Sequence, residues 1–485
     1  MVQYQYKESK KPSFSRIIIR GLALLILYGL VSGVLIFSFP KEVSEDYQKK
    51  SSVSNFYSND LGCDRVVLIN DPFEAGVARI NIIEKAQKTL DVSYYAIDSG
   101  EYANVFLGML LDAADRGVKV NLVLDGIFHG MKKDLKDVVY TFMAHPNIEL
   151  KFYEPLNVFK PWTLNNRLHD KYIIADNRIV IIGGRNIGDK YFGLDSYRGA
   201  ISHDRDVVIM NTDEKDQSSV INQMSDYFQL VWNCEYVKSS INQLSARQYK
   251  AGSEKKKDLE ETVRLTKKNI PALFHHDIDW LSLSFPANKI TLIHNPVERF
   301  SKEPWCWYEI TQLMKSAQQS IFIQSPYIIP NPQMIQAFSE NNLPLDVDLL
   351  TNSLGSTPNF PAYAGYIKYR KKIIDTGVNV YEYQGKDSIH GKSFAIDDDL
   401  VLIGSFNFDP RSVYLSTETM VVIHSKGFAH KFKEEINEYI NQSLLVASDY
   451  TYAQNTKVKE EEVRRSKKII ITTLSYFIGL FDYML

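Results

Sequence analysis

The sequence predicts an α/β protein of two similar halves behind an N-terminal transmembrane helix, and three observations predict it. Strand-length apolar runs alternate with helical periodicity from Val66 onward. One short polar motif occurs twice, 221 residues apart, a domain's worth of chain. A charge-free apolar run, residues 21–39, follows a basic N-terminus.

The elements follow in order. Lys7, Lys10, Lys11, Arg16 and Arg20 precede the apolar run and Pro40 ends it. Its nineteen residues come close to the ~20 needed to cross ~30 Å of hydrocarbon. Residues 17–40 are therefore expected to anchor the chain in a bacterial inner membrane, with 1–16 a cytoplasmic basic tail and the catalytic part on the non-cytoplasmic side. A cleaved signal peptide is the rival reading, but its apolar core is usually ~7–15 residues, and no small-x-small site stands before Pro40. Residues 41–57 are polar and read as a tether.

A first domain is expected over 58–250: helix 78–90, strand 91–97, helix 103–116, strand 118–125, helix 132–144 and strand 149–153, then a hairpin, strand 204–210 and helix 218–233. Strand, helix, strand in that order implies a parallel pair with a crossover. The charged stretch 250–261 reads as a linker or the start of an exposed helix, and 251–284 as the connection. A second domain, 285–450, repeats the plan: helix 305–319, strand 320–327, helix 334–340, strand 345–350, helix 363–376 and strand 378–383. In the tail, 457–485, six basic residues precede the apolar run 469–485. That run suits the headgroup region of a membrane, with burial against the catalytic domain as the alternative.

Composition is that of an ordinary globular chain for about two to three domains: 485 residues, 45% hydrophobic, 24% charged, net charge −2. The near-neutral balance makes a nucleic-acid partner unlikely. Cys63, Cys234 and Cys306 are widely spaced with no C-x-x-C, so neither a disulfide framework nor a zinc site is indicated.

The repeated motif carries the chemistry. His169-Asp170-Lys171 leads to Asp176 and then Gly183-Gly184-Arg185-Asn186; His390-Gly391-Lys392 leads to Asp397 and then Gly404-Ser405-Phe406-Asn407. Both copies read H-x-K-x4-D, then G-[GS]-x-N, with the same seventeen-residue step from His to Asn. Each reads as a β-hairpin whose turn holds the aspartate. Pairing about a centre at 177.5 sets Asn186 opposite His169, and a centre at 398.5 does the same for the second copy. His169 and Lys171 leave one face of the strand; Leu168, Tyr172 and Ile174 leave the other. Imidazole, ammonium and amide thus converge in each copy. Asp176 and Asp397 complete the motif, but at turns they are expected to be structural.

With Ile182-Gly183-Gly184-Arg185-Asn186-Ile187-Gly188-Asp189-Lys190-Tyr191-Phe192-Gly193 and Gly404-Ser405-Phe406-Asn407-Phe408-Asp409-Pro410-Arg411-Ser412, the chain resembles the phospholipase D superfamily over residues 60 to 450, with closest similarity to bacterial cardiolipin synthases. The resemblance implies two α/β/α sandwich halves packed face to face, pooling both motifs in one site. It implies His169 as nucleophile and His390 as acid/base, an order the locally equivalent motifs do not decide. Lys171, Lys392, Asn186 and Asn407 can bind the non-bridging phosphate oxygens and offset the growing charge. Arg185 and Arg411 stand near the asparagines as candidate lipid-phosphate ligands. Each imidazole needs an acid on its other nitrogen. Glu418 matches the family's acidic position, and Asp206 is taken as its first-half counterpart, with Asp204 the substitute. No metal or cofactor is called for.

The function implied is phosphatidyl transfer through a phosphohistidine, with phosphatidylglycerol as substrate and phosphatidylethanolamine as a second candidate, forming cardiolipin. A hydrolase giving phosphatidic acid and a phosphodiesterase of single-stranded nucleic acid are the alternatives; apolar segments at both termini favour lipid. Two features depart from the resembled enzymes: a short segment, Gln384 to Ser388, before the second motif, and Gly126 where they tend to carry an acid.

Overall fold

The computed structural model describes residues 14–239, 241, 243–339, 346–479 and 481–484. The expected basic residues Lys7, Lys10 and Lys11 lie outside the described residues, as do Leu480 and Leu485 of the tail.

Two sheets carry the same strand order. The first runs Asp64–Ile69, Asp206–Asn211, Ile179–Gly183, Lys171–Ala175, Thr89–Tyr94, Lys119–Asp125, Ile148–Tyr153, with Phe285–Pro286 and Val237–Lys238 at its edges. The second runs Lys289–His294, Thr419–His424, Leu400–Gly404, Ser393–Ile396, Ser320–Gln324, Asp346–Asn352, Asn379–Tyr383, Ser443–Leu445. In each, the three strands joined by helical crossovers are parallel and the others antiparallel, as crossover geometry requires. The motif hairpin sits mid-sheet in both halves.

Alternation along the hairpins sorts their side chains. Ile173, Ala175 and Ile181 enter the outer core of the first half. Leu168, Tyr172, Ile174, Val180 and Ile182 enter a core shared with Ala395, Val401, Ile403, Val421 and Ile423 of the second half. The sheets therefore pack face to face through a common apolar layer, and the two motifs meet at one end of it.

The turns differ by one residue from expectation. Tyr172 pairs with Ile182 and Ser393 with Ile403, so the hairpins centre on Asn177 and Asp398. Three-residue turns account for this: Asp176 and Asn177 both have φ of 53° and Asp397 has 50°, the left-handed region that Asn and Asp tolerate. Asn186 is consequently not in direct register with His169.

The stretch read as a linker or exposed helix start belongs to a 24-residue helix, Ala246–Asn269, packed on Glu101–Asp115 and Lys136–Met143. Its buried residues, Gly252, Leu259 and Thr266, recur at intervals of seven and form a narrow stripe on one face. Gly252 permits the close approach, since a Cβ there would lie 2.8 Å from the Tyr140 carbonyl carbon. The expected tether also packs: Tyr47 stacks on Trp305 with ring centroids 4.6 Å apart, and Phe56 is buried.

The N-terminal helix, Phe14–Gly33, is exposed along most of its length and apolar enough to cross a membrane. In the tail, the helix Arg465–Ile478 packs on Phe360–Ile374. It buries Ile471 and Ile478 in the second core and leaves Ile469, Ile470, Tyr476 and Phe477 exposed. One face of the helix is therefore buried against the folded domain, and the other leaves an apolar surface exposed.

Candidate active site

One cavity of about 640 Å³ between the halves is lined by His169, His390, Asn186, Asn407, Asp409 and Arg411. Lys171 and Lys392 are buried directly behind it, each donating to the carbonyl of its own motif histidine.

Each histidine is held by an acid from the opposite half. Nδ1 of His169 bonds Glu418 at 2.9 and 3.0 Å, and Nδ1 of His390 bonds Asp204 at 2.5 Å. The exchange has a backbone cause. Arg167 bridges Ser416 and Ser388 pairs with Ser202, both parallel. In both, the residue two before the histidine meets the residue two before the acid. These crossed bridges bring His169 to Glu418 and His390 to Asp204 by pseudo-twofold symmetry. With Nδ1 held by an acid, Nε2 is the nitrogen each ring can offer a substrate; at His390 the Lys392 ammonium also stands 3.3 Å from it.

Asp206, expected as the counterpart of Glu418, is elsewhere. It is buried between Arg79 and Arg185, at 3.0 and 2.8 Å, on the first strand residue rather than before the strand. Sheet register gives the reason: Gly183 pairs with Asp206 and Gly404 with Met420, which makes Asp204 the equivalent of Glu418. A signal for this was present, since Val207-Val208-Ile209 and Val421-Val422-Ile423 align with an acid three residues before each. Counting forward from the asparagines obscured it, because the first half carries seven extra residues there.

The same comparison explains the motif's G-[GS]. At Gly184 a Cβ would lie 2.2 Å from the Asp204 carboxylate. At the equivalent place Ser405 donates to Glu418 at 2.5 Å.

Arg185 is also withdrawn from the cavity. Its guanidinium bonds Asp206 and the carbonyls of Asn70, Tyr191 and Asp204, so it holds the fold together. Arg411 lines the cavity instead, donating to the Met484 carbonyl at 2.8 Å and to Asn165 Oδ1 at 3.3 Å. Among the described residues no carboxylate pairs with it.

Asp176 and Asp397 lie away from the histidines. Asp176 accepts the backbone N–H groups of Gln87, Lys88 and Thr89, and Asp397 those of Gln318, Gln319 and Ser320. Asn186 and Asn407 face the cavity, and the Oδ1 of each is buried with no partner. Such unpartnered acceptor oxygens at symmetric positions mark where a ligand belongs.

Sequence reasoning missed two groups. Tyr95 packs edge-on against His169 at 5.1 Å and lies 5.2 Å from the Lys171 ammonium. Asp170 accepts from Tyr227 and from Thr417, whose hydroxyl in turn accepts the His169 N–H. Asp170 has no counterpart in the duplicated pattern, since Gly391 stands in its place. Tyr95 is matched by Tyr327, which packs edge-on against His390 at 5.9 Å, but both lie outside the repeated motif.

Burial dominates the electrostatics. It lowers both histidines: His390 falls to about 4, with Lys392 adding to the effect and Asp204 opposing it, and His169 lies well below its usual range, with Lys171 and Lys392 adding. Burial brings Lys171 to about 7 and Lys392 to about 8. The acids diverge. Burial raises Glu418 to about 8, only partly offset by Lys171. Asp204 is equally buried, yet Lys392 and His390 outweigh that and hold it ionised well below the usual carboxylate range.

Comparison with known proteins identifies the family and the fold. A family profile described as "Cardiolipin synthase, PLD-like domain" matches residues 80–232 and 310–440. Cardiolipin synthase C of Escherichia coli K12 is 29% identical over 411 residues, covering 73% of this chain and 80% of its own. An uncharacterized protein of Helicobacter pylori J99 is also 29% identical, over 78% of this chain and 79% of its own. Among solved structures, phosphatidylserine synthase of Haemophilus influenzae shares the fold, with a TM-score of 0.61 at 14% identity over 87% of this chain and 95% of that one. The family match spans more than half of the chain and takes in both motif hairpins, so the chain belongs to the phospholipase D-like family of cardiolipin synthases, enzymes of phosphatidyl transfer.

Proposed function

We propose that the protein is a membrane-anchored phosphatidyltransferase that forms cardiolipin through a phosphohistidine intermediate. The observation that carries this reading is the exchange of acids: two imidazoles on one cavity, each oriented by a carboxylate from the other half. A phosphodiester resists attack because its charge repels nucleophiles and its alkoxide leaves poorly. Lys171 and Lys392 offset that charge, and Asn186 and Asn407 supply neutral hydrogen bonds to the non-bridging oxygens.

Nε2 of neutral His169 attacks phosphorus. The bond to the headgroup oxygen breaks, and the Nε2 proton of His390 passes to that oxygen. An acceptor hydroxyl then gives its proton to His390 and attacks phosphorus, and the P–N bond breaks to restore His169. The arriving phosphate anion favours protonating one imidazole. His390 suits that role, because the fixed negative charge of Asp204 balances an imidazolium. Glu418, poised near neutrality, leaves His169 as the free base.

Transfer is favoured over hydrolysis by the walls of the cavity. Phe128, Leu164 and Met484 give it an apolar side, and Arg411 offers an unneutralised cation for the phosphate of a second lipid. Phosphatidylglycerol is the expected donor and acceptor, with phosphatidylethanolamine a second donor. The test is purified protein in mixed micelles of phosphatidylglycerol, with and without phosphatidylethanolamine, read by mass spectrometry beside His169→Ala and His390→Ala. Cardiolipin that disappears in both variants is the expected result. Phosphatidic acid alone would make the enzyme a hydrolase, and cleavage of a single-stranded oligonucleotide without lipid turnover would replace the substrate class.

A further inference from the structure

We propose that the loop tip carrying Leu156, Val158 and Phe159, beside the mouth of the catalytic cavity, is immersed in the bilayer, so that phospholipid reaches the histidines laterally from the leaflet, with the Lys160 ammonium reaching back to the headgroups. The proposal rests on reading Phe14–Gly33 as a membrane span.

The end of that helix is built into the folded domain. A Cβ at Gly33 would lie 3.1 Å from the Cβ of Pro161, and the Gly33 carbonyl accepts from Asn165 Nδ2 at 2.7 Å. Phe37 is buried in the core of the second half. The last residues of the apolar run are thus committed to protein and are not free to cross lipid. Between Arg20 and the buried Gly33 the uncharged helix open to lipid is the twelve residues 21–32, about 18 Å long. The hydrocarbon layer is about 30 Å thick. Arg16 and Arg20 reaching back to the headgroups recover several ångströms. The domain itself must occupy the remainder.

One contact shows which part of the domain does so. The Tyr28 hydroxyl donates to the Phe159 carbonyl at 2.8 Å. Tyr28 lies five residues before Gly33, about 7.5 Å back along the helix axis. Phe159 therefore stands beside the apolar section of the span, not above its end. Val158 and Phe159 are 74% and 81% exposed, with Leu156 exposed beside them. Clustered apolar exposure of this kind marks a contact surface, and a helix in lipid running alongside commits the partner to the bilayer. Leu164 and Phe128 continue the apolar path, being partly exposed and also lining the cavity with His169. On the far rim, Phe481 is exposed and Met484 lines the same cavity.

The test uses the full chain in phosphatidylglycerol/phosphatidylethanolamine vesicles. In a Cys63→Ser/Cys234→Ser background, Val158→Cys carries an environment-sensitive NBD label. The expected result is a blue-shifted emission quenched by lipids spin-labelled in the upper acyl chain. In parallel, Val158→Asp/Phe159→Asp should float with vesicles like the parent. It should lose at least tenfold in turnover of vesicle lipid, while turnover of water-soluble short-chain phosphatidylglycerol stays within twofold. Emission at the aqueous value in protein that floats would overturn the immersion and leave the span standing. Parent protein released from vesicles by alkaline carbonate would overturn the span and the depth argument with it. Blue-shifted emission without lipid turnover by the parent would support immersion and overturn the proposed reaction. Equal loss on both substrates would overturn lateral access, since the loop would then be holding the catalytic fold.

Discussion

The two halves present the same motif, yet they support their histidines differently. His169 is met by both oxygens of Glu418, and that carboxylate also accepts from Ser405. His390 is met by one oxygen of the shorter Asp204, and the Lys392 ammonium stands 2.8 Å from the same imidazole and 3.7 Å from the same carboxylate. One side is a hydroxyl-backed acid pushed toward neutrality by burial; the other is an aspartate fixed as an anion by an adjacent cation. Duplicated chemistry can thus be made directional by what stands behind the imidazole. The largest effects should come from the histidines themselves. His169→Ala should abolish turnover, by 10³-fold or more, and leave no phosphoenzyme to trap. His390→Ala should lose about 10²–10⁴-fold with natural lipid. With an activated leaving group such as nitrophenol it should still give a burst of one product per enzyme. A burst from His169→Ala and none from His390→Ala would reverse the assigned order.

The two neighbouring aspartates test the crossed arrangement. Asp204→Asn should lower kcat about 10²-fold, since the amide keeps the shape but loses the charge that supports an imidazolium. Its Tm should fall less than that of Asp206→Asn, because Asp204 faces one buried cation at 3.7 Å and not two in direct contact. Asp206→Asn removes the counter-charge from Arg79 and Arg185, both buried. Breaking such a cluster costs about 3–5 kcal/mol, read as a large fall in Tm, with kcat of the folded fraction nearly unchanged. The opposite pattern, a kcat loss for Asp206→Asn and a Tm loss for Asp204→Asn, would dissolve the comparison.

That pair also marks how far the sequence could be read. Strand and helix order, the paired motifs and the inward and outward faces of the hairpins follow from local periodicity, and Leu168, Tyr172 and Ile174 lie where alternation puts them. Which acid meets which histidine depends on the parallel bridges between halves, a relation with no local trace. Arg185 and Arg411 looked equivalent beside their asparagines; only packing reveals that one is consumed by Asp206 and the other left on the cavity. The helix Ala246–Asn269 was obscured by its charge, because a stripe as narrow as Gly252, Leu259 and Thr266 hardly alters composition.

A pH series sharpens the contrast between the acids. Glu418 rises from an ordinary 4.5 to about 8 on folding. A raised folded value means the stability it contributes is complete below about 4.5 and is lost as pH climbs toward 8. Glu418→Gln removes that loss, so its Tm relative to the parent should increase steadily between pH 5 and 8. Asp204 is shifted the other way, and its contribution is lost only in acid, below its ordinary 3.8. The Tm difference for Asp204→Asn should therefore be flat across the same range. Parallel slopes for the two variants would remove the electrostatic distinction between the halves.

The smallest effects should come from the residue that gives the motif its last letter. Asp176 and Asp397 each hold three successive N–H groups at the start of the neighbouring strand, and here the two halves agree. Asp176→Asn and Asp397→Asn keep one acceptor oxygen and tolerate the left-handed turn. Each should cost about 1–2 kcal/mol, a few degrees in Tm, with kcat within twofold of the parent. A tenfold loss of kcat at unchanged Tm would make these carboxylates part of the chemistry. Their geometry argues otherwise: the aspartate pins the tip of the hairpin to the adjacent strand, while histidine and lysine occupy its other end. The fixed spacing of the motif is then the length of that hairpin, chemical at one end and structural at the other. This explains why its aspartate is invariant between two halves whose histidine-holding acids are not.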